Sequence, residues 1–249
     1  MLQDVIKDLS NVDKQFIVIV GSKGVGKSYI TRQVAIKRNE KYVEIKGDKE
    51  VIENLSNMID ISVPTRICIY DYTDMSIQAI NAMLKVAEEP PKNLYIVLHS
   101  RSDNVIETIK SRAYVYHVGD LSENEMMNFI KTQTMNIDLD RNALETLYKA
   151  CRTHGNVLDI LEQGRKMEGD ISEIIAILDK IKQNLDTIKI SNILKIVDKL
   201  YNKKRNINLI EYLHNYICYA GNKDYPPLPP MQSKYDAVAY LISICEKGG

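Results

Sequence analysis

The stretch that decides the fold is Phe16-Ile-Val-Ile-Val-Gly-Ser-Lys-Gly-Val-Gly-Lys-Ser-Tyr-Ile-Thr31. Its first five residues form an unbroken apolar run, which is typical of a strand buried on both faces. The residues that follow match every fixed position of the phosphate-loop pattern G-x-x-x-x-G-K-[ST], with Gly21, Gly26, Lys27 and Ser28. A surface turn rich in glycine and lysine is the alternative, but it leaves the placement between an apolar strand and a helix unexplained. The stretch therefore predicts a strand, a phosphate-binding loop and a helix.

The predicted nucleotide contacts come from the whole loop and the first helical turn: Gly21, Ser22, Lys23, Gly24, Val25, Gly26, Lys27, Ser28 and Tyr29. Glycines allow the backbone to turn sharply, so that its N–H groups can reach phosphate oxygens. The positive end of the helix dipole faces the same anion. Lys27 is expected to reach the outer phosphates and Ser28 to bind Mg²⁺. The expected ligands are therefore ATP or ADP with Mg²⁺.

The composition excludes several classes of protein. Lys plus Arg number 33 in the 249 residues, equal to Asp plus Glu, so any nucleic-acid contact needs a local patch or partner subunits. The four cysteines are far apart and form no C-x-x-C pair, which argues against a zinc module and favours reduced, cytosolic thiols. No stretch has the length of a membrane span, and the first nine residues carry charges where a signal peptide is apolar. We expect a cytoplasmic protein with no membrane contact.

Strands alternate with helices over the first half of the chain. Beyond the first strand, largely apolar segments predict four further strands, at 42–45, 66–71, 94–98 and 113–118. Helices are predicted before and between the strands, at 2–9, 27–38, 49–58, 76–88 and 104–109. This alternation is typical of a three-layer α/β domain with a parallel, five-stranded sheet.

Asp71 is predicted to complete the metal site. It directly follows the apolar segment Ile67-Cys-Ile-Tyr70, and ligands of open α/β sheets bind at the carboxyl ends of the strands. A carboxylate in this position can hold Mg²⁺ through water. The alternative is a turn or helix-capping aspartate, which would be preferred if the phosphate loop were absent. Ser28 and Asp71 are thus the two predicted metal-binding residues.

The pattern changes to helices alone after residue 119. Ser122 and Glu125 match the capping box that opens a helix, and Asp138 or Asp140 is expected to begin the next one. The pair Gly155-Asn156 is expected to interrupt the helical structure, and a further helix is expected to follow it. The predicted domains are an α/β nucleotide-binding domain at 1–119, a small helical domain at 120–169 and a short all-helical domain at 170–249.

Two further stretches resemble a known family. One is Asn81-Ala-Met-Leu-Lys-Val-Ala-Glu-Glu-Pro-Pro91, and the other is Val105-Ile-Glu-Thr-Ile-Lys-Ser-Arg-Ala113. With the phosphate loop, they resemble the AAA+ ATPase subunits of DNA polymerase clamp loaders, namely bacterial delta-prime and tau/gamma subunits and replication factor C small subunits. The match covers about residues 16 to 165, and the last eighty residues match only in being helical. The resemblance implies an AAA+ fold with a helical lid and a collar-like C-terminal domain.

The resemblance also implies roles for two residues outside the loop. Ser111-Arg112-Ala113 lies where the family has Ser-Arg-Cys, and that arginine reaches the γ-phosphate held by the neighbouring subunit. A guanidinium suits this task because it stays charged and spreads its donors over several oxygens. Ser100 falls at the sensor-1 position, where the family has Thr or Asn. The implied catalytic set is Lys27, Asp71, Ser100 and Arg112, although an ordinary surface arginine is the alternative for Arg112.

Several positions depart from the family pattern. Tyr72 stands where the family has its catalytic glutamate, and a phenol with an ordinary pKa near ~10 is a poor base at neutral pH. Leu158 falls where the family has its sensor-2 arginine, as also happens in delta-prime-like subunits. The zinc-binding cysteines of the bacterial subunits are missing. These departures indicate a subunit that binds nucleotide but hydrolyses it poorly by itself.

Three functions stay open at this stage. The first is a clamp-loader subunit whose implied partners are other AAA+ subunits in a homo- or hetero-oligomer, a sliding clamp, and primed DNA through the assembled complex. The second is a hydrolysis-deficient, stator-like subunit that supplies Arg112 to a neighbour. The third is an unrelated phosphate-loop ATPase or a kinase acting on a small molecule, which leaves the two further stretches unexplained. The Ile, Asn and Lys usage would suit a bacterial or phage-infected cell.

Overall fold

The computed structural model describes residues 2–45, 62–70, 72, 75–137 and 139–166, with isolated positions at 175–176, 214, 236 and 239–240. The helix predicted at 49–58, the metal-site candidate Asp71 and nearly all of the predicted domain at 170–249 therefore lie outside the described residues. The chain divides into two compact units, Met1–Leu121 and Ser122–Gly249.

The first unit is built on a five-stranded sheet. Its strands are β1 (Phe16–Val20), β2 (Lys41–Ile45), β3 (Thr65–Ile69), β4 (Leu94–Ser100) and β5 (Tyr114–His117). All neighbouring strands are parallel, in the order β2-β3-β4-β1-β5. This confirms the predicted parallel sheet and places the strand that leads into the phosphate loop between two others.

Both faces of the sheet are covered, which explains the unbroken apolar run of β1. Phe16, Val18 and Val20 join one buried cluster, whereas Ile17 and Ile19 join the other. Successive side chains of a strand point to opposite faces, so a central strand needs apolar residues at every position. The helices of this unit are α1 (Leu2–Ser10), α2 (Lys27–Lys37), α3 (Ile77–Glu88) and α4 (Glu107–Lys110).

The described part of the second unit contains three helices, α5 (Glu123–Gln133), α6 (Arg141–Ala150) and α7 (His154–Lys166). The predicted capping box of α5 is confirmed, because Ser122 accepts a hydrogen bond from the N–H of Glu125 and the Glu125 side chain bonds back. Asp140 caps α6 by accepting from the N–H of Ala143 at 2.7 Å. Among the described residues, no helix has the length and apolarity to cross a membrane.

The predicted break at Gly155-Asn156 is wrong. Both residues lie in the first turn of α7, which begins at His154. The Thr153 hydroxyl accepts a hydrogen bond from the N–H of Asn156 at 3.3 Å, and the Asn156 side chain accepts from the N–H of Arg152 at 3.2 Å. These capping contacts start the helix before the glycine, whose low helix propensity they outweigh.

Candidate nucleotide-phosphate site

The phosphate loop leaves the carboxyl edge of the sheet at the end of β1. The register places Val20 beside Ser100 of β4 and His117 of β5. The N–H of Gly21 donates to the Ser100 carbonyl at 3.1 Å, which ties the start of the loop to β4. A Cβ on Gly21 would lie 2.9 Å from the carbonyl oxygen of Val118, so only glycine fits there. The loop therefore starts from a fixed point between two strands.

The loop backbone suits an anion. Gly26 has a φ of 104°, a left-handed conformation that other residues rarely adopt. Gly26 is also the N-cap of α2 and has no side chain with which to cap it. The first-turn N–H groups of a helix point out of its N-terminus, where an acceptor from outside the helix can bind them. The glycine loop and the first turn of α2 thus fit a phosphate group.

Lys27 folds back over the loop. Its Nζ donates to the carbonyl oxygens of Gly21 at 2.5 Å and Ser22 at 2.9 Å. Ser22 in turn donates to the carboxylate of Asp120 at 2.7 Å. Hydrogen bonds between two charged groups are stronger than those from an ammonium to neutral carbonyls, so a phosphate can draw Nζ away from the loop carbonyls. The lysine therefore lies where an outer phosphate can recruit it.

The remaining predicted loop residues differ in their surroundings. The Val25 side chain is buried in the cluster that contains Ile17 and Ile19, so only its backbone can contact a ligand. Lys23 and Tyr29 are exposed. Val25 is therefore a packing residue of the loop, whereas Lys23 and Tyr29 face solvent.

Ser28 and the end of β3 are brought together by Tyr70. The Tyr70 hydroxyl shares a hydrogen bond with the Ser28 side chain. Tyr70 directly follows β3 and directly precedes Asp71 in the sequence. The contact places the strand end that leads to Asp71 beside the predicted metal ligand Ser28. Among the described residues there is no cluster of three or more metal-binding His, Cys, Asp or Glu side chains.

Tyr70 belongs to a polar cluster that the sequence patterns did not predict. Its hydroxyl also bonds with Tyr42 and Glu44, and Arg32 donates to Glu44 at 3.0 Å. Burial raises the pKa of Tyr70 to about 12, partly offset by its bond with Ser28. Burial also pushes the pKa of Glu44 upward, but bonds from Tyr70, Tyr42 and Arg32 outweigh it and hold the pKa below its usual value. At neutral pH the cluster therefore presents a neutral phenol to Ser28 and an ionised carboxylate behind it.

A second buried contact links α2 to the sheet below the loop. Thr31 lies one turn after Lys27 and donates to its carbonyl at 2.9 Å, and its hydroxyl contacts His99 Nε2 at 2.9 Å. His99 also contacts the Cys68 sulfur at 3.4 Å. In the sequence, the one feature that could have indicated this contact is the presence of Cys68 and His99 in otherwise apolar strand segments. These side chains hold the first turns of α2 over β3 and β4.

Ser100 lies at the base of the loop. It is fully buried at the end of β4, in register with Val20. Its hydroxyl donates to the carbonyl of Ser102 at 2.6 Å and accepts from the Ser102 N–H at 3.4 Å. The predicted sensor-1 residue is therefore close to the loop in the sheet, with its hydroxyl engaged in its own turn.

Arg112 lies at the opposite edge of the sheet from the loop. It precedes Tyr114, which is in register with Ile17 near the amino end of β1, whereas Gly21 follows the carboxyl end. Its guanidinium donates to Glu88 Oε1 at 2.8 Å and to the Thr108 carbonyl at 2.9 Å. The structure thus brings together the predicted residues of the loop, Ser28 and Ser100, and separates Arg112 from them.

Tyr72 and Leu158 are the residues that the resemblance to clamp-loader ATPases aligns with catalytic groups of that family. Tyr72 is only 6% exposed, packs in the apolar cluster under α3 and accepts a hydrogen bond from the N–H of Ile106 at 3.2 Å. Leu158 is half-exposed on α7. The Tyr72 side chain is a buried packing group, so its environment does not resemble that of a water-activating base.

Comparison with known proteins gives consistent results. A family model described as DNA polymerase III, delta subunit, matches residues 31–122. A DNA polymerase III subunit gamma of Buchnera aphidicola from Acyrthosiphon pisum is 26% identical over 179 residues, which cover 58% of this chain and 49% of the relative. The chain resembles the AAA+ clamp-loader subunits of DNA polymerase III. It spans about half the length of that gamma-subunit relative.

Two further similarities are broader. A single-residue variant of Thermotoga maritima RuvB has a TM-score of 0.57 at 15% identity, covering 91% of this chain and 87% of that chain. This likeness shows the AAA+ type of fold alone. A Pyrococcus furiosus protein provisionally named an adenylate kinase is 24% identical over 169 residues, covering 66% of this chain and 83% of the relative. The similarity to DNA polymerase III subunits is thus accompanied by a more general similarity among phosphate-loop proteins.

Proposed function

We propose that the chain is an ATP-binding AAA+ subunit of a DNA replication clamp loader, acting in an oligomer that loads a sliding clamp on primed DNA. The observation that carries the proposal is the loop itself: Lys27 folds over Gly21 and Ser22, and the N-cap position of α2 is a left-handed glycine that leaves the helix N-terminus without a side-chain cap. The similarity to DNA polymerase III gamma subunits supports the choice of complex.

Within this proposal, the loop N–H groups and Lys27 hold the phosphates of ATP or ADP. Ser28 and Asp71 would hold Mg²⁺, which when bound neutralises charge on the phosphates. Tyr70 keeps the Ser28 hydroxyl oriented through their shared hydrogen bond. Ser100 supports the loop from the neighbouring strand, since its carbonyl holds the N–H of Gly21 at 3.1 Å.

Arg112 would act on the nucleotide of a neighbouring subunit. Its position at the amino edge of the sheet, away from Gly21, supports a role in trans rather than at its own loop. The guanidinium is 35% exposed and its partner Glu88 is 56% exposed, so water reaches the pair. An exposed ion pair is weak, and a phosphate of a neighbour can therefore replace Glu88.

We expect little ATP turnover by the isolated chain. The phenol of Tyr72 is buried and bonded to the N–H of Ile106, and one copy cannot supply Arg112 to its own site. Steady-state ATPase should fall far below the ~1–100 s⁻¹ typical of kinases. A hydrolysis-deficient chain would bind nucleotide and serve mainly as a stator-like subunit. ATP turnover in that range by the wild-type monomer would contradict this hypothesis.

Nucleotide binding is tested by titrating the isolated protein with ADP and Mg²⁺ in a calorimeter. Lys27→Ala should abolish detectable binding, because the ammonium supplies the charged contact to the outer phosphates. Lys37→Ala is a matched control, since it removes a lysine from the last turn of the same helix. Equal affinity in wild type and Lys27→Ala would reject the proposed site.

A small-molecule kinase is the second candidate, favoured by the similarity to the Pyrococcus furiosus protein. The two functions differ in their second substrate. An adenylate kinase converts ATP and AMP into two ADP, whereas a clamp-loader subunit needs no AMP. ADP formation by the isolated chain that depends on AMP would favour the kinase, and stimulation by partner subunits on primed DNA would favour the clamp loader.

A further inference from the structure

Tyr72 follows one predicted functional residue in the sequence and holds a second segment of the first unit through its buried side chain. On one side, Tyr72 directly follows the predicted metal residue Asp71 in the sequence. On the other side, its hydroxyl accepts the N–H of Ile106 at 3.2 Å. Tyr72 is 6% exposed, and its side chain lies in the cluster that contains Ala79 and Met83 of α3. The packed ring gives the hydroxyl a fixed position from which to hold Ile106.

Ile106 is the N-cap residue of α4, the short helix that leads to Arg112. The apolar side chain of Ile106 has no acceptor atom and forms no capping hydrogen bond with the helix. The Ile106 carbonyl accepts from the N–H groups of Ile109 at 3.0 Å and Lys110 at 3.1 Å. A displacement of Ile106 would therefore move the first turn of α4. Tyr72 holds the residue from which this helix begins.

Backbone hydrogen bonds restrict the position of Arg112 relative to α4. The N–H of Ser111 donates to Glu107 at 2.9 Å, and the N–H of Arg112 donates to Ile109 at 3.1 Å. Ile109 is fully buried, which anchors the middle of the segment. The backbone of Arg112 therefore follows the position of α4, and its side chain is then held by Glu88.

We propose that Tyr72 is a positioning residue that sets the backbone segment 106–112 and through it the placement of Arg112. This deepens the proposed function, because it rests on Arg112 serving the neighbouring subunit. The residue in the place of the family's catalytic glutamate thus acts on the site of the neighbour rather than as a base in its own site. Tyr72 also directly follows the predicted metal residue Asp71 in the sequence.

The test uses Tyr72→Phe, which removes the hydroxyl and keeps the ring in its cluster. Tyr116→Phe is the matched control, because its hydroxyl contacts Asp8 at 3.4 Å in another part of the same unit. Hydrogen exchange of the isolated, full-length chain is measured at the amides of residues 106–112, with the amides of α2 as an internal reference. Tyr72→Phe should speed exchange of the segment by ~2- to 10-fold, the range that one net hydrogen bond allows. Unchanged exchange would overturn the proposal.

A second measurement separates positioning from general stabilisation. In the complex purified with its native partners, Tyr72→Phe should lower ATPase kcat several-fold while the affinity of the isolated chain for ADP stays unchanged. In an Arg112→Ala background, Tyr72→Phe should have no further effect, because both changes act through the same guanidinium. An equal loss in both backgrounds would overturn the proposal. If Arg112→Ala itself leaves ATPase unchanged, the proposed role of Arg112 at the neighbouring subunit fails, and the exchange experiment still decides whether Tyr72 holds the segment.

Discussion

The charged residues at the two edges of the sheet, where the strands begin and where they end, have different kinds of partners. At the amino edge, the side chains of Arg66 and Glu40 are each 1% exposed, and Arg66 Nε donates to Glu40 Oε2 at 2.6 Å. Arg38 adds a second bond to Glu40 at 2.8 Å. The guanidinium groups of Arg38 and Arg66 also lie 5.1 and 5.0 Å from the ring centre of Tyr95. Each of these charges is enclosed by groups of the same chain.

At the carboxyl edge, the Lys27 ammonium donates to neutral groups, the carbonyl oxygens of Gly21 and Ser22. A buried ion pair is costly to break because separation leaves a charge without a partner in a medium of low dielectric. Carbonyl contacts are exchanged for phosphate contacts at lower cost. The amino edge thus holds a buried ion pair that stabilises the fold, whereas the contacts of Lys27 with the loop carbonyls at the carboxyl edge are less costly to exchange.

The largest expected effect is that of Arg112. This residue is an exception among the charges of the amino edge, because its guanidinium is partly exposed. Arg112→Ala should lower the ATPase of the assembled complex by ~10³-fold or more, as an arginine finger acts on the transition state. This requires that the neighbour it serves has its own catalytic glutamate. Nucleotide affinity of the isolated chain should be unchanged. ATPase of the complex with its native partners is the measurement.

Glu88→Gln is the matched control for that experiment. It removes the charge that holds the guanidinium but keeps Arg112 itself. Complex ATPase should stay close to that of wild type, since an exposed pair contributes little. If Arg112→Ala assembles normally and retains full ATPase, Arg112 is an ordinary surface residue and the clamp-loader proposal loses its main mechanistic support.

The next effect tests the amino edge. Glu40→Ala should lower the free energy of unfolding by about 3–5 kcal/mol, because it leaves Arg66 buried without its carboxylate. Asp13→Ala is the control, since Asp13 contacts the same Arg38 at 3.5 Å but is 99% exposed. Its effect should be close to zero. Urea unfolding of both variants measures the difference, and comparable losses would show that burial does not distinguish the two carboxylates.

The smallest effect tests the middle of the sheet, between the two edges. Burial raises the pKa of the Cys68 thiol to about 12 from its ordinary value of 9.0. The thiol ionises more easily in the unfolded chain, so its contribution to stability is complete below pH 9 and is lost as the pH rises toward 12. The loss should reach about 2 kcal/mol at pH 10.5, at about 1.4 kcal/mol per pH unit.

Denaturant unfolding at pH 8 and pH 10.5 checks this expectation in wild type and Cys68→Ala. The variant should lose about 2 kcal/mol less than wild type over the same pH interval. The difference between the two pH values is the informative quantity, because it cancels the cost of the cavity left by the smaller side chain. An identical pH-dependent loss in both proteins would mean that Cys68 is not the group that titrates.

Periodicity was sufficient to predict elements that depend on local sequence. The apolar segments of all five strands and the capping box at Ser122 were predicted correctly because their signals lie within a few neighbouring residues. The break predicted at Gly155-Asn156 was wrong because a hydrogen bond from Thr153 starts α7 earlier. Glycine reduces helix propensity by only about 1 kcal/mol, which one capping contact can offset.

The sequence by itself determined the strand, loop and helix around Gly21–Ser28, because a fixed spacing of glycine, lysine and serine is needed to surround a phosphate. The roles of charged and phenolic side chains were decided only by the tertiary structure. Glu40 and Arg66 are 26 positions apart and meet in the core, and Tyr72 reaches Ile106 across 34 positions. Such contacts depend on the order of the strands and on which side chains become buried, and neither is written in the spacing of neighbouring residues.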